Sequence, residues 1–353
     1  MNNRIKQVIL QMKECELDQI IITQQDSLQY LLGYSELPLE RLMGLLLDTN
    51  GSMALFVNVV FSIRENGEFP FFWHTDADDP TEELAKHLRG RVGIDASMPA
   101  RFLLPLMGKR PELHFVLGSA PVENVRMIKS AEEIEKLRAA SLIADEVMND
   151  AFAEVAKGRT EVQMETFIDE SFKSRGCKTV AMQIAAFGAG AAEAHHTSLE
   201  RLPQPGEVIL FDIFAEKDGY WSDTTRCAFY KEASPHARHV YETVKAAQLA
   251  AEAVVRPGVR MCEVEAAAKR VIREAGYETT TGRIGHGIGM LYHEKPDCSC
   301  VNEMVLKPGM VFTIEPGIYL QDDIGVRIED IVVVTESGVE ILNKNAKELK
   351  IID

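Results

Sequence analysis

Two stretches of the sequence share the pattern that decides the fold. Residues 204–212 read QPGEVILFD, and residues 307–315 read KPGMVFTIE. Each stretch has a Pro-Gly turn, an apolar strand and a carboxylate that ends the strand, Asp212 in the first and Glu315 in the second. One such match arises easily by chance, because turns followed by strands are common.

A repeat of two helical segments, in the same order as the strands, indicates an internal duplication. Gly158 and Gly176 bracket one helical segment, and Gly258 and Gly276 bracket another, so the offset is 100 residues in both cases (258 − 158 and 276 − 176). Two similar halves would each deliver an acid. We therefore expect a pseudo-twofold α+β domain with one site between its halves.

The chain before residue 125 reads as a separate, smaller α/β domain. The patterns predict helices at 4–17 and 81–87 and strands at 19–23, 43–48, 53–57 and 91–95. A turn signal, GSAP at 118–121, comes before a long helix at 130–155, which Ser130 and Glu133 begin as a capping box. We place the domain boundary near residue 125, giving domains 1–125 and 126–353.

Composition narrows the class of protein. The 353 residues are 46% hydrophobic, enough for two domains with buried interiors. The formal charge of −16 offers no basic surface for nucleic acid, so we expect no nucleic-acid partner. No stretch has the form of a signal peptide or reaches the roughly 20 apolar residues of a membrane span. Six cysteines without a C-x-x-C pair indicate reduced thiols. We expect a cytoplasmic protein with no membrane partner.

Each half also predicts a hairpin with a second acid. After Asp212, the turn KDG at 217–219 leads back through YWSDTTR, which contains Asp223. After Glu315, the turn QDD at 321–323 leads back through GVRIED, which contains Glu329. Any one of these acids alone fits a solvated strand end. Together, in apolar strand contexts, four buried carboxylates need positive charge, and two divalent cations would supply it.

His286 lies in GHGIG at 285–289, where glycines allow close approach of the backbone to a ligand or strand. Alone, it fits a packed or solvent-facing histidine equally well. With the four carboxylates it would complete an oxygen-rich set with one imidazole, which favours manganese or cobalt, with zinc or iron as alternatives.

Paired metal ions of this kind indicate hydrolysis. The reaction also needs a donor for the negative tetrahedral oxygen and a proton for the leaving nitrogen. The candidates are His195 and His293, with His196 as a substitute for His195.

These motifs, in this order, resemble those of the Xaa-Pro peptidases, prolidase and aminopeptidase P, of the pita-bread fold. The segments that carry the resemblance are DIFAEKDGYWSDTTR (212–226), GHGIG (285–289), HEKP (293–296), TIEPGIY (313–319) and VRIED (326–330). YLLGY at 30–34 and RMIKS at 126–130 extend it over nearly the whole chain. The resemblance implies a smaller, creatinase-like α/β N-terminal domain, a pita-bread catalytic domain and a homodimer.

The resemblance also implies roles for individual residues. The metal ligands would be Asp212, Asp223, His286, Glu315 and Glu329, with Asp223 and Glu329 bridging the ions. Glu315 would also shuttle the proton from the metal-bound water. His195 and His293 would steady the substrate and the tetrahedral intermediate, and Arg327 would be a substrate-side arginine.

Departures from the family pattern affect the substrate. Phe214 stands where a glycine is usual, and Lys295 and Asp297 stand where prolidases often place an arginine for the substrate carboxylate. Arg41 would supply that cation across a dimer, or it is simply an exposed loop arginine.

Three functions follow from the sequence. The first is a dinuclear-metal-dependent Xaa-Pro dipeptidase that acts on proline-containing peptides. The alternative is aminopeptidase P-like release of the first residue from longer Xaa-Pro peptides. The third, of a different class, is a catalytically silent binding module of the same fold.

Overall fold

The computed structural model describes residues 2–65, 67–179, 182–278 and 282–353. The chain forms two compact units, Met1–Arg126 and Met127–Asp353. Among the helices of the described residues, none has the length and apolarity to cross a membrane.

The N-terminal unit is a mixed sheet with helices, as the sequence predicted. Its strands lie in the order β4-β3-β2-β1-β5-β6, and β1 pairs antiparallel with β2 and parallel with β5. The apolar strand β1 is buried along its whole length, which explains its central position. The elements are α1 (Asn3–Glu14), β1 (Gln19–Ile22), α2 (Gln25–Leu32), β2 (Met43–Asp48), β3 (Met53–Asn58), β4 (Phe71–His74), α3 (Pro80–Lys86), β5 (Arg91–Ile94), α4 (Ala100–Lys109), β6 (His114–Leu117) and α5 (Ala120–Met127).

The C-terminal unit opens with the predicted long helix. Ser130 and Glu133 form the expected capping box, with the Ser130 N–H donating to Glu133 Oε2 at 2.7 Å. The elements are α6 (Ala131–Val155), α7 (Glu161–Ser174), β7 (Ile184–Phe187), β8 (Val208–Lys217), β9 (Tyr220–Tyr230), α8 (Pro235–Val254), α9 (Met261–Glu274), β10 (His286–Gly287), β11 (Glu294–Asp297), β12 (Val311–Ile314), β13 (Gly317–Leu320), β14 (Ile324–Arg327), β15 (Asp330–Val334), β16 (Val339–Ile341) and β17 (Lys350–Ile352).

Three sheets carry the site of this unit. One has the order β17-β9-β8-β7, the second has the order β11-β10-β12-β15-β16, and β13 pairs with β14 in a separate two-stranded sheet. Helices α6 and α7 share one apolar core with β7, β8 and β9, while α8 and α9 contribute to another that includes β12, β14 and β15. The fold is therefore α+β, as the sequence predicted.

The structure contains the internal repeat that the sequence predicts. Helices α7 and α9 occupy the two repeated segments and are followed by Gly176 and Gly276, both with positive φ (73° and 86°). The two Pro-Gly turns also match. The N–H of Gly206 donates to the Tyr230 carbonyl at 2.8 Å, and that of Gly309 donates to the Val334 carbonyl at 2.9 Å. Each turn thus fastens the start of one strand to the end of its antiparallel partner.

Candidate active site

The first acid pair lies on the β8–β9 hairpin. Strand β8 ends at Lys217 and β9 begins at Tyr220, so the predicted KDG turn joins them. Asp212 is opposite Thr225 in the ladder, and Asp223 is opposite Phe214. Because residues two apart in a strand share a face, both aspartates point to the same side of the sheet.

The second acid pair lies in gaps between strands. Glu315 follows the end of β12 and precedes β13, while Glu329 lies between β14 and β15. Their backbone N–H groups bond outside any hairpin ladder, Glu315 to the Ile284 carbonyl at 2.8 Å and Glu329 to the Thr225 carbonyl at 3.1 Å. The second half therefore delivers its acids from interrupted strands.

His286 is held between two strands by its flanking glycines. A Cβ on Gly285 would lie 2.0 Å from the Thr313 carbonyl oxygen, and one on Gly287 would lie 2.1 Å from that of Lys295. The His286 Nδ1 lies 3.1 Å from the Gly287 carbonyl, which makes it the N–H donor and leaves Nε2 with a lone pair for a ligand.

The five residues converge. His286 Nε2 lies 3.5 Å from a carboxylate oxygen of Asp223 and 3.5 Å from one of Glu315. Among the described residues, ligand atoms within 4.8 Å of one another define three groups: Asp212, Asp223 and Glu329; His286, Glu315 and Glu329; and Asp223, His286 and His293. The first two groups together contain all five predicted ligands, and they share Glu329.

Two of the acids, Asp223 and Glu329, are buried, so their negative charge is unfavourable without a cation. Burial and the nearby acids Asp212 and Glu315 raise the pKa of Asp223 to about 7, against the stabilising effect of His286. Burial and the neighbouring acids likewise raise the pKa of Glu329 well above its ordinary value. Within the described part of the chain, Asp212 Oδ1 and Glu329 Oε1 are buried without a hydrogen-bond partner. Such atoms fit divalent cations.

Arg327 lies among the acids themselves. Its Nη2 donates to Asp212 Oδ2 at 2.6 Å, its Nη1 donates to the Tyr319 hydroxyl at 2.8 Å, and its Nε donates to the Thr225 hydroxyl at 3.0 Å. The Thr225 hydroxyl in turn donates to Glu329 Oε2 at 2.8 Å. Arg327 lines the cavity, orients Asp212 directly and is connected to Glu329 through the Thr225 hydroxyl.

A cavity of about 500 Å³ opens over the acids, and His195 and His293 both line it. The His293 ring lies 3.9 Å from that of His286, centroid to centroid. Partial desolvation beside the acids, together with the neighbouring positive charges of His286 and Arg283, lowers the pKa of His293 to about 3, so its ring is neutral near pH 7. His196, the substitute that the sequence allowed, bonds through Nε2 to Glu161 at 2.9 Å and through Nδ1 to Glu193 at 3.3 Å. It anchors the segment that presents His195.

Sequence reasoning missed Arg283, which also lines the cavity. Its Nη1 bonds to Asp297 Oδ1 at 2.9 Å, and its Nη2 lies 3.4 Å from His293 Nδ1. The only local signal was a cation three residues before His286. The position of Arg41 is different, because its partners lie in the N-terminal unit: Asp76 at 2.7 Å and Glu40 at 2.7 Å.

An aromatic wall completes the cavity. The Phe214 ring stacks on Tyr292 at 5.7 Å with a 13° angle between the planes, and Trp221 meets Tyr292 edge-on at 5.5 Å. Phe214 thus forms part of the pocket wall, at the position where the sequence departs from the family pattern.

Comparison with known proteins decides the family. Residues 135–336 match the model of metallopeptidase family M24, and residues 4–128 match the creatinase/prolidase N-terminal domain. The chain belongs to metallopeptidase family M24. As a member, it has a pita-bread catalytic domain preceded by a creatinase-like domain, in agreement with the predicted fold and enzyme class.

Relatives of this M24 enzyme match along nearly its whole length. It is 34% identical over 341 residues to the Xaa-Pro dipeptidase of Lactobacillus helveticus, covering 92% of each chain. The crystal structure of dipeptidase PepE from Mycobacterium ulcerans superposes with a TM-score of 0.93 at 34% identity, covering 99% of this chain and 97% of that one. A recombinant prolidase from Thermococcus sibiricus gives a TM-score of 0.91 at 30% identity and 99% of both chains. Family M24 implies divalent metals, and the residues described above fit them.

Proposed function

We propose that this M24 enzyme is a two-metal Xaa-Pro dipeptidase. The observation that carries the proposal is the convergence of five side chains on one cavity, two of them with buried oxygens that lack a protein partner. The ligands are Asp212, Asp223, His286, Glu315 and Glu329. Carboxylates with one imidazole favour manganese or cobalt, with zinc or iron as alternatives. The name of the Lactobacillus helveticus relative supports the substrate class.

Glu315 is the proposed proton-transfer residue. Divalent ions held by the five ligands would lower the pKa of bound water and polarise the substrate carbonyl. The Glu315 side chain is 22% exposed, against 7% for Asp223, and it lines the cavity. A carboxylate open to the substrate is suited to accept a proton from water and return it to the leaving nitrogen.

His293 and His195 stabilise the negative oxygen that develops during attack. Because His293 is neutral and its Nδ1 faces the Arg283 guanidinium, the ring accepts at Nδ1 and carries its proton on Nε2. That N–H would then donate to the developing negative oxygen without adding charge to the ground state. His195 shares the cavity and provides a second imidazole.

The position of Arg283 supports dipeptidase activity rather than aminopeptidase activity. Asp297 bonds both Arg283, at 2.9 Å, and Lys295, at 2.5 Å, so two cations share one anion. The remaining positive charge reaches the cavity through Arg283. A dipeptide substrate carries a free carboxylate on its proline, and Arg283 would pair with that carboxylate.

The test compares two variants on two substrates. Arg283→Met raises KM for Xaa-Pro dipeptides by roughly 10–100-fold, the loss expected for a charged hydrogen bond, and changes KM for Xaa-Pro amides little. Lys295→Met is the matched control, because Lys295 holds the same aspartate from a half-exposed position. Two results together would instead favour the aminopeptidase. The unmodified enzyme would cleave Xaa-Pro tripeptides in preference to dipeptides, and Arg283→Met would change KM for dipeptides and amides alike.

Arg41 and the homodimer belong to the same proposal. In a dimer, Arg41 would approach the substrate only after exchanging its bonds to Asp76 and Glu40. Sedimentation of the full chain measures the oligomeric state. Arg41→Ala would raise KM for dipeptides if the arginine reaches the substrate, and would leave it unchanged if it does not.

A further inference from the structure

Arg226 and Asp330 belong to the family motifs, yet neither is a proposed ligand. Arg226 ends the SDTTR segment in β9, and Asp330 follows Glu329 at the start of β15. Their side chains are 3% and 0% exposed, and Arg226 Nη2 lies 2.5 Å from Asp330 Oδ1. A buried ion pair adds little net stability, because the desolvation of both charges offsets their attraction. Its position beside the acids therefore needs another explanation.

The pair holds the main chain of Glu329. Arg226 Nη1 donates to the Glu329 carbonyl at 2.6 Å, and the Thr224 hydroxyl donates to the same oxygen at 3.1 Å. The Glu329 N–H donates to the Thr225 carbonyl at 3.1 Å. Since Glu329 lies in a gap between strands, these contacts with β9 take the place of a ladder and fix both of its peptide groups.

A second ion pair, Lys347 with Glu252, contacts the Asp330 carboxylate of the first. Asp330 Oδ2 lies 2.6 Å from Lys347 Nζ, and Lys347 lies 2.6 Å from Glu252 Oε1. Gln248 Nε2 also donates to Asp330 Oδ2, at 3.1 Å. The cluster joins two cations to two anions, with the buried acid Asp145 also near Arg226, and both oxygens of Asp330 are bonded.

We propose that Arg226 and Asp330 are a positioning pair that fixes Glu329 and so sets the affinity of the site for its more weakly held metal ion. The inference rests on the proposed function, in which Glu329 is a ligand. A ligand must be held within about 0.5 Å of its working position. Loss of an outer partner typically lowers metal affinity by roughly 10–100-fold.

The variant that tests the pair is Arg226→Lys. Lysine keeps the charge but cannot span the Asp330 carboxylate and the Glu329 carbonyl as the planar guanidinium does. Arg201→Lys is the matched control. Arg201 likewise bonds one carboxylate, that of Glu207 at 2.6 Å, and one backbone carbonyl, that of Phe187 at 2.6 Å.

The measurement is a titration of the metal-free full chain with Co²⁺ alone, followed by the visible absorption of the bound ion and by calorimetry. Arg226→Lys should weaken binding of the second Co²⁺ by roughly 10–100-fold and alter its absorption bands. Arg201→Lys should titrate like the parent. With peptide substrate, kcat of Arg226→Lys should recover at saturating Co²⁺ with KM unchanged. An Arg226→Lys titration identical to that of the parent overturns the proposal.

Two further variants test the proposal if Arg226→Lys does not fold or if the proposed function itself fails. Thr224→Val removes the other donor to the Glu329 carbonyl without touching the ion pair, and should weaken the second Co²⁺ by a smaller factor, about 3–10-fold. If Arg226→Lys does not fold, the Co²⁺ titration of Thr224→Val tests the positioning pair in its place. Glu329→Gln separates the two proposals: if it binds Co²⁺ like the parent, the proposed function fails. If it loses an ion while Arg226→Lys and Thr224→Val do not weaken binding, only the positioning pair fails.

Discussion

The two halves of the catalytic unit deliver their acids in different ways. Asp212 and Asp223 lie within β8 and β9, and the ladder between these strands runs unbroken past both. Glu315 and Glu329 lie in gaps, because β12 pairs with β15 while β13 and β14 pair separately. One half presents its acids from a regular hairpin, the other from an interrupted one.

The difference shows what each half requires from the rest of the fold. In a ladder the backbone bonds and the pleat already fix the side-chain direction. In a gap the backbone needs other partners, and Glu329 obtains them from Thr225, Thr224 and Arg226 on β9. The second half therefore depends on the first for the geometry of Glu329, although the two halves share a sequence pattern.

The largest expected effect comes from removing one ligand in each half. Asp223→Asn and Glu329→Gln should each lower kcat/KM on the order of 10³-fold, more than the roughly 10–100-fold typical of an outer partner. Both should bind fewer than two metal ions per chain. Elemental analysis and a peptidase assay measure this, and full activity in either variant would show that its half is dispensable.

A pH dependence of stability comes next, from Asp223. Its pKa in the metal-free protein is raised from 3.8 to about 7, chiefly by burial, so between these pH values the folded chain binds more protons than the unfolded one. Metal-free stability should therefore fall as pH rises from about 4 to 7, and added Mn²⁺ should stabilise more at pH 8 than at pH 5.

Thermal unfolding of the parent and of Asp223→Asn, each without metal, checks this dependence. The asparagine cannot ionise, so the variant should lose less stability over the same pH range. Equal slopes in the two proteins would assign the pH dependence to other groups.

A smaller effect separates the two halves. The Thr225 hydroxyl bonds both Glu329 and Arg327, whereas the Thr313 hydroxyl accepts from the His286 N–H and lies 3.5 Å from Glu315. Thr225→Val should weaken metal binding by about 10-fold or more, and Thr313→Val by less. Metal titrations rank them, and the reverse order would contradict the dependence of the second half on β9.

The smallest expected effect concerns the cavity wall. Phe214→Leu removes the stacking on Tyr292, an interaction worth about 0.5–1.5 kcal/mol, while keeping an apolar side chain. KM for Xaa-Pro dipeptides should change by about 2–10-fold with metal affinity unchanged. A change in metal affinity would place Phe214 in the support of the acids.

Local signals were enough to predict most of the fold. The capping box of α6, the turn glycines and the repeated Pro-Gly strands each depend on a few adjacent residues, and the structure has them where the sequence placed them. The second hairpin was predicted as a copy of the first. Its division into gaps depends on which segments pair, β12 with β15 and β13 with β14, and the repeated sequence pattern does not specify that choice.

Side-chain direction could not be predicted in the same way. His195 and His196 are adjacent and chemically equal, and His196 is distinguished by its bonds to the Glu161 and Glu193 carboxylates. Arg283 became visible as a cavity residue only after β10 and β11 brought it beside His293 and Asp297. Arg327 was expected beside the substrate, and its bonds to Asp212 and Thr225 depend on contacts between the two halves.

The most direct test of the metal site is a crystal structure of the full chain with Mn²⁺, with anomalous diffraction recorded on both sides of the manganese absorption edge. We expect two anomalous peaks per chain, both among the side chains of the five proposed ligands, Asp212, Asp223, His286, Glu315 and Glu329. Peaks elsewhere, or none among these residues at saturating Mn²⁺, would contradict the two-metal site.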